Sequence, residues 1–486
     1  MLLLDHPRAA PVPRVDERRR TRLVLAAALV ATLGLRLLYL RFPLGVDEGG
    51  VAFIAKAWGT GHGSLYGAYW LDRPPLLVAL YKLAVTGGPT GIRVLGAVAS
   101  LALVATTTVV TRSIAGDRAA RIAAVLSAGL AGSIALASVF TPSELLAAVP
   151  AAGSIGCLAA AHRREDARGL AGAGLLAVTA ALIKQSFLDA GFAGAVFLVA
   201  GSVRDRRPRL RQAAAYAAGA LIPIVAVGVW LALARISPGS LVYALFGFRI
   251  DALHTLAGSS VPLRIRVHEL VAPGVGSGLF AMLAVAPGGL AALRRDRVLA
   301  VTLAAWLGAG AIGVLAGGSY WSHYLIQLVA PASLLAGAAL ARAPVGSLVT
   351  AALAALAVAG TVGGVPSVRA RHERNGVLPV ARYVRDHARP GDTQYVMYAR
   401  ANVGYYTGLP SPYPYAWSLL VRAHPGAIPR LRQLLASPQR PTWIVGWEPP
   451  TRWHLDGTGA TTRALRAHYR VVAHVDGHPI YHRTSP

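Results

Sequence analysis

About eleven times along its 486 residues, this chain runs for some twenty positions with almost no charge. The runs lie near 22–41, 91–111, 119–138, 143–161, 168–184, 186–203, 212–235, 271–293, 298–316, 323–341 and 346–365. About 20 apolar residues is what an α-helix needs to cross the hydrocarbon core of a bilayer. The chain is therefore expected to be a polytopic α-helical membrane protein with about eleven transmembrane helices. Composition agrees: 14% of residues are charged and the mean hydropathy is +0.50, where a soluble protein carries roughly a quarter charged residues.

The net charge of +27 would suit a nucleic-acid partner if it were spread along one surface. Instead the arginines cluster between apolar runs, in "RVDERRRTR", "HRREDAR", "RDRRPRLR" and "RRDR". That is the pattern of cytoplasmic loops under the positive-inside rule, and it excludes nucleic acid as the partner. The first run is too long for a signal-peptide core and has no small-residue cleavage site, so it reads as a retained anchor. With the N-terminus inside, residues 112–121, 162–168, 204–211 and 294–297 are cytoplasmic. The loop 42–90, the turn 139–142, Lys184, the loop 236–270 and the turn 317–322 then share the outer side.

From 366 onward the composition changes to short amphipathic and strand-like stretches, with a hairpin expected across "DGH". The expected organisation is a basic cytoplasmic tail (1–21), a membrane core (22–365) whose outer loop 42–90 carries juxtamembrane helices, and a small extracytoplasmic α/β domain (366–486). The single cysteine, Cys157, allows no intrachain disulfide. The C-terminal histidines lack the spacing of a zinc site. The absence of an Asn-X-Ser/Thr sequon fits a bacterial plasma-membrane protein.

Chemistry-bearing residues concentrate on the outer side. Asp47 and Glu48 follow the first span and open a segment in which Val51, Ile54, Ala55 and Trp58 recur at helical spacing. This helix is too short to cross and is expected to lie in the headgroup layer. The acids either cap it or serve as a base or cation ligand beside lipid phosphate. Glu144, in "FTPSELL", either caps its span or is a functional juxtamembrane acid. Lys184 and Arg93 can each snorkel to the interface or meet a phosphate, His323 is either structural or a donor to a phosphate, and Arg73 in "YWLDRPPLL" stands at the exit of the loop 42–90. Tyr69, Tyr320 and Tyr324 fit an interfacial aromatic belt. Arg249 and its neighbours in 236–270 either line a substrate entry or form a solvated basic loop, and the latter is favoured for any individual residue.

Taken together, "VDEGG" after the first span, "YWLDRPPLL" before the second, "TPSELL", "LIKQSF" and "SHYLIQLVAP" resemble the GT-C superfamily of polyprenyl-phosphate-sugar-dependent glycosyltransferases. The resemblance is in particular to its protein O-mannosyltransferase-like and aminoarabinose-transferase-like branch, over about the first 340 residues. In "RPPL", Arg73 replaces the family's lysine, which changes donor geometry at constant charge. The resemblance implies Asp47 as catalytic base, with Glu48 as its neighbour or a metal ligand, and Glu144 as the second acidic position. It implies Arg73, Lys184, His323 and Arg93 on the donor phosphate, and Tyr69, Tyr320 and Tyr324 along the substrate cleft. A polyprenyl-phosphate sugar would be the donor and a hydroxyl of the cell envelope the acceptor. A divalent cation (Mg or Mn) on Asp47, Glu48 and Glu144 is left open, because relatives differ. The alternative class is a transporter or flippase for lipid-linked sugars.

Overall fold

The computed structural model of the chain describes residues 14–60, 64–164, 166–258 and 261–484. The first thirteen residues of the expected basic tail lie outside the described residues. Its remainder is already helical: α1 (Arg14–Leu37) begins well before the apolar run. Asp16 and Glu17 sit in its first turn, where acids favour a helix, and Asp16 pairs with Arg20 one turn on at 2.8 Å.

The chain then forms α2 (Val46–Ala57), α3 (Pro75–Ala84), α4 (Gly88–Ala131), α5 (Ser143–Arg164), α6 (Ala167–Ile183), α7 (Asp189–Asp205) and α8 (Leu210–Leu233). A short α9 (Pro238–Val242) runs through one wide turn into α10 (Phe248–Ala257), followed by α11 (Leu263–Gly276), α12 (Leu279–Ala292) and α13 (Arg297–Leu315). Next come α14 (Val329–Leu340), α15 (Gly346–Gly363) and α16 (Val365–Glu373).

Helix occurs at every apolar run, but length and hydropathy single out fewer spans. Among the described residues six helices are long and apolar enough to cross a membrane, or seven if α11 and α12, which meet at 71°, form one. The difference from eleven has local causes. The runs at 91–111 and 119–138 lie in two helical segments that meet without a gap at Gly116, whose φ of +87° favours glycine, so that together, as α4, they count once. The 17-residue α6 and α7 are short, and α1 carries Arg20, Arg22 and Arg36. Apolar side chains of α8 (Leu221, Ile222, Ile224, Val225, Val229) face outward, as a helix bordering lipid requires.

The two ends of the bundle have different chemistry. At one end Glu17 meets Arg121 at 2.6 Å, Thr21 donates to Asp117 at 3.0 Å, and His162 reaches Asp296 at 2.9 Å. Arg163 donates to the Ser113 carbonyl there. These contacts gather segments that the sequence assigns to one side. At the opposite end Glu48 meets Arg93 and the Thr141 backbone, Glu144 meets Lys184, Asp72 meets Arg249, and Arg266 donates to the Gly318 carbonyl.

The C-terminal residues build α17 (Val377–His387), α18 (Ala401–Thr407), α19 (Ser418–Ala423), α20 (Ala427–Ala436) and α21 (Ala460–His468) around four strands. These are β1 (Gln394–Val396), β2 (Trp443–Val445), β3 (Tyr469–Val475) and β4 (His478–Arg483), in the order β1-β2-β4-β3. β1 and β2 are parallel, with Tyr395 opposite Ile444. β3 and β4 form a hairpin whose turn, Asp476–Gly477, has positive φ at both positions, the geometry that matches strand twist. Val377, Val380 and Val384 of α17 pack on Trp443, Val445 and Ile480. This unit sits directly on the bundle: Trp70 N donates to the Pro414 carbonyl at 3.2 Å, and Asn402 donates to the Leu44 carbonyl at 3.1 Å. As a result α2 is buried throughout Glu48–Ala55. The expected headgroup-layer helix is instead enclosed, because α18 covers its second face.

Candidate active site

Adjacent residues on a helix point about 100° apart and do not share a face, so Asp47 and Glu48 have different surroundings. Glu48 is 5% exposed. One of its oxygens accepts from Gly45 N at 3.0 Å, the N3 half of a capping box at the start of α2, whose N-cap glycine has no side chain to supply the other half. The other takes Arg93 and, at 2.7 Å, Thr141 N. Arg93 also donates to the Pro43 carbonyl at 2.9 Å and lies over the Phe140 ring. Glu48 and Arg93 thus join α2, α4 and the turn before α5, and neither stands with the cations described below. Asp47 is exposed and accepts from the Trp417 indole Nε1 at 3.1 Å.

The glycines of "VDEGG" explain how Trp417 gets there. A Cβ on Gly50 would strike the Trp417 ring, and one on Gly49 would strike Asn402. Gly50→Ala is expected to cost about 1–3 kcal/mol through overpacking, read as a lower midpoint of thermal unfolding in detergent. A change on an open face of α2 would leave that midpoint in place.

Beside this point lies a dense charged cluster. Asp72 is buried, and its carboxylate takes Arg73 at 2.6 Å and also Arg249. Its carbonyl accepts from Gln185 at 2.7 Å. Burial pushes the Asp72 carboxyl up, but the two guanidiniums outweigh it and hold the carboxyl below its ordinary range. Burial disfavours charge on Arg73, yet Asp72, with Asp47 and Glu144 beyond it, keeps that group above its usual value. Asp47 and Glu144, 97 positions apart in the sequence, therefore act on the same guanidinium. Glu144, 1% exposed, pairs with Lys184 Nζ at 2.9 Å, and His323 Nε2 stands 3.9 Å from the same oxygen. Lys184 also lies 5.3 Å from the centre of the buried Tyr324 ring, against which His323 packs edge-on.

Arg73, Lys184, His323, Tyr324, Glu144 and Asp47 are thus brought to one place. Tyr69 is not among them: it is buried between α2 and the C-terminal unit, edge-on to Phe53, and accepts from Ser411 N at 3.4 Å. Tyr320 is half-buried in the turn before His323, with a φ of 55°. Sequence reasoning missed Asp72, Gln185 and Trp417. The position of Asp72 within "YWLDRPP" was the available signal. Arg249, favoured as solvated over lining a substrate entry, is a correction: α10 folds back over the loop 42–90 and delivers it to Asp72. The three carboxylates weighed for a divalent cation do not form a metal-holding group. Among the described residues no set of three His, Cys, Asp or Glu side chains is placed to bind one, because Glu48 and Glu144 are turned to Arg93 and Lys184.

No protein-family model matches the sequence, and no curated protein matches it. Solved structures do. The chain is similar to ArnT from Cupriavidus metallidurans bound to undecaprenyl phosphate, with a TM-score of 0.67 and 15% identity over 95% of this chain and 98% of that one. The chain shares the fold of that structure. A second likeness is to the Archaeoglobus fulgidus oligosaccharyltransferase in complex with Zn and sulfate, with a TM-score of 0.54 and 15% identity over 92% of this chain and 72% of that one. The oligosaccharyltransferase AglB of the same archaeon, in complex with an inhibitory peptide and a dolichol-phosphate, has a TM-score of 0.50 and 13% identity over 96% and 75%. At these identities the GT-C likeness is one of fold.

Proposed function

We propose that the chain is an integral-membrane, inverting glycosyltransferase that moves a sugar from a polyprenyl phosphate to a hydroxyl acceptor. The observation carrying this reading is the arrangement at one end of the bundle: an exposed carboxylate, Asp47, beside a cluster in which two guanidiniums, Arg73 and Arg249, share one carboxylate, Asp72. Such a cluster retains capacity for an anion, and a lipid phosphate is the anion a membrane supplies. That ArnT binds undecaprenyl phosphate and AglB a dolichol-phosphate supports the same donor class here.

In this reading Arg73, Arg249, Lys184 and His323 hold the donor phosphate and stabilise charge as it leaves. Asp47 takes the proton of the acceptor hydroxyl, whose oxygen attacks the anomeric carbon from the face opposite the phosphate. The bond from that carbon to the phosphate oxygen breaks with its electron pair leaving on the polyprenyl phosphate, so the configuration inverts. Glu48 positions Asp47 by fixing the start of α2. The transporter class fits less well, since transporters place their polar sites near mid-membrane, whereas these charges gather at one end. We assign that end to the outer face, with eleven spans in 22–365, the N-terminus inside and residues 366–486 an outer α/β domain of a bacterial plasma membrane, on the arginine distribution.

The test is incubation of purified protein with a panel of labelled polyprenyl-phosphate sugars and envelope extracts. Sugar transfer with release of polyprenyl phosphate is expected, and failure to bind or consume any donor overturns the proposal. The Glu144→Gln, Lys184→Met double variant removes a buried pair without stranding either charge. It is expected to fold and to raise the donor KM about tenfold or more, the size of a lost charged hydrogen bond of about 1.5–3 kcal/mol.

A further inference from the structure

A second site lies away from the cation cluster, where the far end of α10 faces the C-terminal unit. A cleft of about 440 Å³ is lined by Thr255 and Gly258 on one side and by Arg422, Arg452, Trp453, His454 and Leu455 on the other. Arg422 and Arg452 both approach the Trp453 ring, at 5.0 and 5.3 Å from its centre. Glu448 is 3.3 Å from Arg452. Among the described residues no carboxylate pairs with Arg422.

The turn bearing these groups is held in an uncommon shape. Trp453 and His454 have φ of 54° and 61°, a region that bulky residues seldom adopt and that persists where the surroundings impose it. The surroundings do so from three sides. Tyr398 donates to the Pro450 carbonyl at 3.1 Å, and Arg432 donates to the Leu455 carbonyl at 3.2 Å. The buried Asp456 accepts from Thr461 N and Thr462 N, both at 2.9 Å, at the start of α21. Backbone outliers of this kind cluster at ligand clamps.

From these contacts the geometry points to an acceptor subsite for an anionic saccharide, one bearing phosphate or carboxylate groups. It rests on the transferase reading, since it names what that enzyme would glycosylate. Guanidiniums bind phosphate and carboxylate through paired donors, and an indole gives a sugar ring an apolar face with a polar edge. Position ties the cleft to the reaction centre. Arg249 opens α10 at Asp72, and Thr255 and Gly258 follow about 9 and 14 Å along the same helix at ~1.5 Å per residue. The cleft and the cation cluster are thus joined by one short helix, with Arg249 at one end and Thr255 near the other.

The experiment uses the full chain in lipid nanodiscs with two fluorescent probes, mannotetraose and its 6-phosphorylated form. The phosphorylated probe is expected to bind at least tenfold more tightly than the neutral one. Arg422→Gln with Arg452→Gln should remove that preference, and Arg422→Lys with Arg452→Lys should keep most of it, which separates lost charge from lost folding. Equal binding of the two probes, or a preference that survives in the glutamine variant, overturns the inference. So does loss of binding when phosphatidylglycerol replaces phosphatidylcholine, which would make the cleft a lipid contact. Donor affinity of the wild type, measured alongside, separates this reading from the transferase reading. A chain that binds no polyprenyl-phosphate sugar yet holds the phosphorylated probe through these arginines keeps its saccharide site and loses its assigned reaction.

Discussion

Asp47→Asn is expected to lower sugar transfer about a thousandfold while the donor KM stays within about threefold, in line with the 10²–10⁴ that a positioned general base contributes. The asparagine has the size of the aspartate and still accepts from the Trp417 indole, so α2 and its contacts persist. What disappears is the group that takes the acceptor proton. Asp47 is suited to that task because it is exposed at the edge of the cluster, whereas Asp72 and Glu144 are buried and each is paired with a cation. Single-turnover release of labelled sugar, compared with donor binding by the same preparation, checks the prediction. Turnover unchanged in the variant would remove Asp47 from the mechanism. An equal loss of binding and rate would make it a donor-binding residue.

Much of this arrangement was legible in the sequence because membrane helices announce themselves by composition. The apolar runs, and the division of the loops into two sets by arginine content, already grouped Arg73, Glu144, Lys184 and His323 with Asp47 before any coordinates. The division of labour between Asp47 and Glu48 was not legible. Both are acids in the first turn of a helix, and the burial of Glu48 depends on Arg93 and Thr141, which arrive from other helices. Trp417 is beyond local reasoning altogether, since 370 residues separate it from Asp47. The two glycines of "VDEGG" hinted at a close approach without naming what approaches. Arg249 was hidden for a different reason: a basic residue in a long polar loop has the same sequence signature whether solvated or folded back onto a buried aspartate. The counts differ in part because the two runs of α4 are two helical segments joined without a gap at Gly116, which counts them once where hydropathy counts two.

The largest effect on folding is expected at Arg93 rather than at any residue of the cation cluster. Arg93 is 2% exposed, and Arg93→Met would leave the Glu48 carboxylate buried without its cation. Breaking such a pair from one side costs about 3–5 kcal/mol, whereas replacing both members with neutral groups of similar size is often nearly neutral. The Arg93→Met variant should therefore unfold at a much lower temperature or fail to accumulate. The Glu48→Gln, Arg93→Met double variant should recover part of the loss: it strands no charge, but the single glutamine oxygen can accept from only one of Gly45 N and Thr141 N, which now meet two different carboxylate oxygens. Thermal unfolding of both variants in detergent measures this directly. The double variant also decides the role of Glu48. If the residue only fixes the start of α2, the refolded protein should transfer sugar within about tenfold of the wild-type rate, below the 10²–10⁴ of a lost acid or base. A stable double variant without turnover would instead place Glu48 among the reacting groups and return the metal-ligand reading to contention.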